Sequence, residues 1–253
     1  MTIFSKNIDF FLIKFPAIFP LIYLSALYVF PEYGSVIAFI ALITLAEPHF
    51  GATWSVFFDK KMREFAKQNK FLFIYLPILI AIAVIILFFK LPSLFYFLFF
   101  AFNIYHVTRQ SSGICKLFSL SGSEKQYQEY SLYIINILAF FGVVAFHLTK
   151  IVPQSTAVEF GLLLLGASLL VALFQMVKFG SLERALTTLT GLSMFLPAFF
   201  VGEPIHAIVA GITMHYSQYL VLMFKINAGK LIDSETTKVP ISENLNAKSY
   251  LLL

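Results

Sequence analysis

Long apolar segments recur along most of the chain, and they constrain its fold more than any other feature. A helix needs about 20 apolar residues to cross the ~30 Å hydrocarbon core of a bilayer. Eight segments approach or exceed that length: Phe11–Phe30, Gly34–Phe58, Phe71–Phe89, Ser93–Phe118, Ser131–Leu148, Val158–Val177, Ala185–Val201 and Pro204–Phe224. The sequence therefore predicts an all-α fold, a polytopic transmembrane helical bundle of eight spans.

The balance of apolar and charged residues argues against a soluble protein. Of the 253 residues, 59% are hydrophobic and only 12% are charged, whereas about a quarter of a soluble domain is charged. A soluble protein of this length could not hide so many apolar side chains, because much of its surface must face water. The net charge of +5 is accordingly attributed to membrane topology and anionic lipid rather than to a nucleic-acid partner.

The cations are distributed very unevenly over the two sides of the predicted bundle. Only Lys90 and Lys150 fall on one side. Fifteen fall on the other: Lys6, Lys14, Lys60, Lys61, Arg63, Lys67, Lys70, Lys116, Lys125, Lys178, Arg184, Lys225, Lys230, Lys238 and Lys248. Since cytoplasmic loops collect Lys and Arg, both termini are predicted to be cytoplasmic. Residues 1–225 form the predicted bundle, and residues 226–253 form a polar cytoplasmic tail.

A few ionisable residues lie well inside the predicted spans. They are Glu47 and His49 on the second span, His106 and Arg109 on the fourth, and His206 and His215 on the eighth. A charged group costs at least ~2–3 kcal/mol at the centre of a membrane helix unless it is partnered. Each such residue is therefore a candidate functional residue.

Three of the histidines fall at the same predicted depth. His49, His106 and His215 each lie about ten residues before the charged cytoplasmic end of their span, or ~15 Å at about 1.5 Å per residue. The three spans run in the same direction, so all three side chains lie near the midplane. Imidazole is the usual neutral ligand of iron, zinc or copper, so three histidines at equal depth on three separate spans are what a metal site needs.

Polar residues follow each of these histidines by about one helical turn: Thr53 after His49, Arg109 and Gln110 after His106, and Gln218 and Tyr219 after His215. An oxygen acceptor normally binds the second N–H of a metal-bound histidine, a role open to Thr53, Gln110, Gln218 or Glu47. Other interpretations remain open at this stage. Glu47 and Arg109 could form a structural ion pair, the histidines could bridge helices, or the polar centre could serve proton or ion transport.

Three motifs resemble those of a known family. They are Glu47-Pro-His-Phe-Gly-Ala52, Tyr105-His-Val-Thr-Arg-Gln-Ser-Ser-Gly113 and His215-Tyr-Ser-Gln-Tyr219. They resemble uncharacterised bacterial and archaeal membrane proteins and, more distantly, the Brp/Blh family of β-carotene dioxygenases. That family holds a histidine-ligated non-haem iron in the membrane and cleaves β-carotene to retinal. The resemblance implies an integral protein of a prokaryotic inner membrane.

Applied to this chain, the resemblance implies that His49, His106 and His215 bind ferrous iron, Fe(2+). The last motif of the family has two histidines one turn apart, whereas Gln218 or Tyr219 stands at the second position here. Glu47 or Gln218 is then the expected fourth ligand.

These observations favour a membrane-embedded iron oxygenase that acts with O₂ on an apolar isoprenoid or lipid, as in carotenoid cleavage. The candidate catalytic residues, which would orient ligands or stabilise charge, are Arg109, Gln110, Gln218 and Tyr219. The alternative is a non-enzymatic membrane protein, either a transporter or a structural subunit of a membrane complex with helix-bridging histidines.

Overall fold

The computed structural model describes residues 3–54 and 60–235, apart from the side chains of residues 53, 61 and 227–235. Every regular element in this part of the chain is a helix, as the sequence predicts. In order, the helices are α1 Lys6–Lys14, α2 Ile18–Val29, α3 Pro31–Ala52, α4 Lys60–Gln68, α5 Phe71–Lys90, α6 Pro92–Phe118, α7 Gly122–Leu148, α8 Gln154–Phe179, α9 Leu182–Ser193, α10 Pro197–Phe200 and α11 Pro204–Glu235.

Several of the described helices are long and apolar enough to cross a membrane. Five meet both conditions: α3, α5, α7, α8 and the Pro204–Ile226 part of α11. The bent pair α1–α2 makes a sixth if it is counted as one span. The all-helical fold is thereby confirmed, and the five or six candidate spans indicate an integral membrane protein. The count of eight spans and the side of the termini stay predictions.

The first predicted span is not the continuous helix expected from its hydropathy. The chain breaks between α1 and α2, whose axes differ by 59°. Phe15 has φ −143° and ψ 68°, which are not helical backbone angles. It precedes Pro16, and the proline ring clashes with a preceding residue that adopts helical angles. The broken backbone is satisfied from neighbouring helices. Gln218 Nε2 donates to Ile13 O at 2.5 Å.

The seventh predicted span is also broken. Helix α9 ends at Ser193, a turn covers residues 194–196, and α10 begins at Pro197, which has no N–H with which to continue the helical ladder. The turn packs very closely on α11, because a Cβ atom added at Gly211 would lie 1.8 Å from Met194 O. The turn that follows α9 therefore lies against Gly211, which is one helical turn before His215 on α11.

Helices α3, α6 and α11 run in the same direction. Near the starts of α3 and α11, Gly34 lies against His206, and further along His49 contacts His215. Along α6, Phe100 shares a core cluster with Ala207 of α11, and Ile114 shares a later one with Val221. These contacts bring the three histidine-bearing helices side by side.

Two polar regions are more regular than the sequence predicted. The expected loop 59–70 contains the helix α4, and α11 continues through residues 226–235 of the predicted tail; residues 236–253 lie outside the described part. Lys14, counted above among the cations of the cytoplasmic side, is buried and pairs with Glu183 Oε2 at 2.5 Å.

Candidate metal centre

The first histidine follows an irregular turn of α3. Residues Leu42–Ala46 form a wide π turn, in which the Glu47 N–H bonds to Leu42 O. Pro48, which has no N–H, comes immediately afterwards and precedes His49. Wide turns of this kind often occur at functional sites. His49 is buried, with 3% of its surface exposed.

The structure brings His49, His106 and His215 together. Their ring centroids are 4.9 Å apart for His49 and His215, 5.7 Å for His106 and His215, and 6.4 Å for His49 and His106. One nitrogen from each ring lies within 4.8 Å of the other two. These residues were predicted to lie at equal depth, and the packing of α3 and α6 against α11 turns them toward one another.

His215 has the most deeply buried side chain of the three. It is 1% exposed, and neither Nδ1 nor Nε2 has a hydrogen-bond partner among the described residues. A buried polar atom without a partner costs ~1–3 kcal/mol. An imidazole in this state is suited to binding a group that the protein chain itself does not supply.

The three nitrogens fit a shared transition-metal ion. A metal binds each histidine nitrogen at about 2.1 Å, so bound nitrogens would lie roughly 3–4 Å apart. The separations of at most 4.8 Å in this structure are compatible with that spacing. Three neutral nitrogen ligands suit zinc, copper or iron, and the unpartnered nitrogens of His215 are the observation that favours such an ion.

Two tyrosines enclose His49. The ring of Tyr219 lies 4.3 Å from the His49 ring, and that of Tyr216 lies 5.0 Å from it. Both tyrosines are buried. Tyr219 was a predicted site residue, whereas Tyr216 was missed, although its spacing of four residues from Ile212 places both on the face of α11 that packs against Ala46.

The two glutamines are buried near the site on different helices. Gln218 Nε2 donates to Ile13 O near the end of α1 instead of to a histidine. Gln218 Oε1 has no partner among the described residues. Gln110 lies on α6, one turn after His106, with 6% of its surface exposed. The Thr53 side chain, a further predicted acceptor, lies outside the described part of the chain.

The two predicted charged residues are not brought into the histidine cluster. The Nη1 of Arg109 donates to the Tyr105 hydroxyl at 3.1 Å, on the exposed side of α6. Glu47 is exposed and does not belong to the group of ligand atoms that the three histidines form. Among the described residues the two form no ion pair with each other, so the structural pairing considered from sequence is absent there.

The remaining two histidines have partners within the protein. His206 Nδ1 lies 2.7 Å from the Tyr23 hydroxyl, and His147 Nε2 lies 2.8 Å from Ala198 O. Both bridge neighbouring helices, which is the ordinary structural role of a histidine in a membrane bundle.

Comparison of the chain with models of known protein families, with curated proteins and with solved structures finds no match. Interpretation of the site therefore rests on its own geometry.

Proposed function

We propose that this protein is a membrane-embedded, histidine-ligated non-haem iron oxygenase that acts on an apolar isoprenoid or lipid. The observation that carries the proposal is the convergence of His49, His106 and His215 from three helices within an apolar bundle. Three histidines from separate helices hold a metal while leaving coordination positions for other molecules. Iron held in this way supplies the redox chemistry by which O₂ reacts with an organic substrate.

The protein side chains have distinct roles in this proposal. His49 and His215 are buried and anchor the metal from inside the bundle. His106 is exposed, so substrate reaches the centre from its side. Tyr219 packs on the His49 ring and fixes its orientation. Gln110 is buried one helical turn after His106 on α6 and is the residue proposed to orient it.

The surroundings of His106 support an apolar substrate. Phe50, Phe102 and Tyr105 are 56%, 68% and 50% exposed, and they flank the histidines on α3 and α6. In a bilayer these side chains face hydrocarbon, so a lipid-soluble molecule can approach laterally without crossing water.

A dioxygenase reaction fits the motifs of the sequence. Cleavage of one carbon–carbon double bond by O₂ places one oxygen atom on each carbon and gives two carbonyl products, so no external reductant is consumed. The sequence contains no dinucleotide-binding glycine fingerprint that would indicate a nicotinamide or flavin reductant. Central cleavage of a carotenoid to two molecules of retinal is the example that the family resemblance suggests.

The proposed topology is eight spans with both termini in the cytoplasm of a prokaryotic cell. Its spans are α1–α2, α3, α5, α6, α7, α8, α9–α10 and α11, with the first and seventh broken. Irregular backbone at membrane depth is tolerated where protein satisfies it. Thr190 Oγ1, which donates to Lys14 O at 3.0 Å, connects the two broken spans in this way.

The alternative of a transporter or structural subunit with helix-bridging histidines accounts for His206 and His147, each of which bonds to a neighbouring helix. It gives no role to the two unpartnered nitrogens of His215. The oxygenase proposal is preferred for that reason.

Expression in cells that accumulate β-carotene tests the proposal. The wild-type protein should turn orange cells pale and produce retinal, whereas His215→Ala, expressed at the same level, should leave the colour. Growth under ¹⁸O₂ extends the test to other substrates, because labelled oxygen should enter a membrane isoprenoid or lipid only with the wild-type protein. Equal ¹⁸O incorporation by both proteins in every extractable lipid would contradict the proposal.

A further inference from the structure

We propose that α4 is an interfacial helix whose basic face binds the headgroups of anionic phospholipids. The inference is independent of the histidine centre. Helix α4 is amphipathic, is held at the start of α5, and exposes several cations.

The side chains of α4 divide into two faces. Met62, Phe65 and Ala66 are half-buried, and their spacing of three and four residues places them on one side of the helix. Lys60, Arg63 and Lys67 are exposed along the rest of the surface, with Glu64 and Gln68. A short helix with an apolar face and a basic face lies in the plane of the membrane surface.

The junction with α5 fixes the depth of α4. The Asn69 N–H bonds to Phe65 O at 3.0 Å, and its side-chain Nδ2 donates to the same oxygen at 2.9 Å. The rings of Phe65 and Phe73 meet edge to face with centroids 5.7 Å apart. Because the candidate span begins at Phe71, α4 lies where apolar core gives way to headgroups.

The exposed cations of α4 are available to an outside anion. Lys60, Arg63 and Lys67 form no ion pair with any described residue. Lys225 lies at the same end of the bundle, since Phe224 and the Ala52 end of α3 line one apolar groove. Cations near an anionic membrane surface each strengthen attraction by about fivefold, within a Debye length of ~8 Å.

Lipid retained by the purified full-length protein provides the test. The protein is exchanged through mixed micelles of phosphatidylglycerol and phosphatidylcholine at low salt, and the retained lipids are quantified by mass spectrometry. Wild-type protein should enrich phosphatidylglycerol, and the triple variant Lys60→Gln, Arg63→Gln, Lys67→Gln should reduce that enrichment roughly tenfold or more. Salt at 0.5 M should have a similar effect on wild-type protein.

A matched control removes the same charge elsewhere. Lys116→Gln, Lys125→Gln, Lys178→Gln neutralises three cations at the same end of the bundle but outside α4. Because Lys116 is already paired with Glu129 Oε1 at 2.6 Å, this variant should reduce the enrichment clearly less than the α4 variant does. Thermal unfolding of both variants verifies that they are folded. Equal losses in the two variants, no preference in wild-type protein, or displacement of the lipid by millimolar glycerol phosphate would overturn the proposal.

Discussion

Two buried polar clusters lie in this apolar bundle, and they differ in how their groups are satisfied. In the cluster between α7, α8 and α9, Glu124 Oε1 accepts from Arg184 Nε at 2.8 Å and from Gln175 Nε2 at 3.3 Å. Glu124 Oε2 also accepts from the Leu120 N–H. In the histidine centre, by contrast, both nitrogens of the buried His215 are without a partner among the described residues.

This difference suggests a structural role for the cluster around Glu124 and a ligand-binding role for the histidine centre. Arg184 further donates to Phe179 O at 2.7 Å, so both charged groups of this cluster are paired and three helix ends are joined, although Gln175 Oε1 has no partner among the described residues. Removing one member of such a buried ion pair is strongly destabilising. The three imidazoles face one another, and neither nitrogen of the buried His215 has a partner among the described residues, an arrangement that suits the proposed metal ion.

Charge removal at Glu124 should have the largest effect on stability. Glu124→Gln leaves the Arg184 guanidinium unpaired in a largely buried position, which should destabilise the protein by about 3 kcal/mol and lower the unfolding midpoint by roughly 6–12 °C. The double variant with Arg184→Gln should recover part of that loss. A midpoint within 2 °C of wild type would mean that the network is not structural.

A smaller effect is expected at the contact that positions α11. Gly211→Ala forces a methyl group against Met194 O, which lies 1.8 Å from the added Cβ, and should cost about 2 kcal/mol by overpacking. Gly166→Ala is the matched control, because nothing lies within 4 Å of its Cβ. We expect Gly211→Ala, but not the control, to weaken metal binding by displacing His215. Equal behaviour of the two variants would contradict this coupling.

The sequence predicted the helical membrane class and the depth of the three histidines, since both depend on counting residues between charged ends. It could not predict that the rings converge, because helix rotation is set by local packing such as Gly34 against His206. Average hydropathy also did not predict the helix breaks near Pro16 and Pro197. Apolar side chains continue through both breaks, so the average stays high although the helical backbone is interrupted.

The individual polar roles were the least predictable part of the site. Gln218 has the spacing of a ligand or acceptor beside His215, but the broken end of α1 provides a carbonyl that binds its Nε2. Arg109 lies one turn from His106, yet it also lies four residues from Tyr105, to which it donates. Spacing alone does not distinguish the two directions in which such a side chain can extend.

If His49, His106 and His215 hold a metal ion, purified full-length protein should contain it, and metal analysis measures this. His106 is exposed, so His106→Ala should remove a ligand with little damage to packing. We expect roughly one transition-metal ion per chain in wild-type protein and in Glu124→Gln, and at least about a tenfold loss in His106→Ala. Sub-stoichiometric metal in both wild type and His106→Ala would show that the three histidines do not form a metal centre.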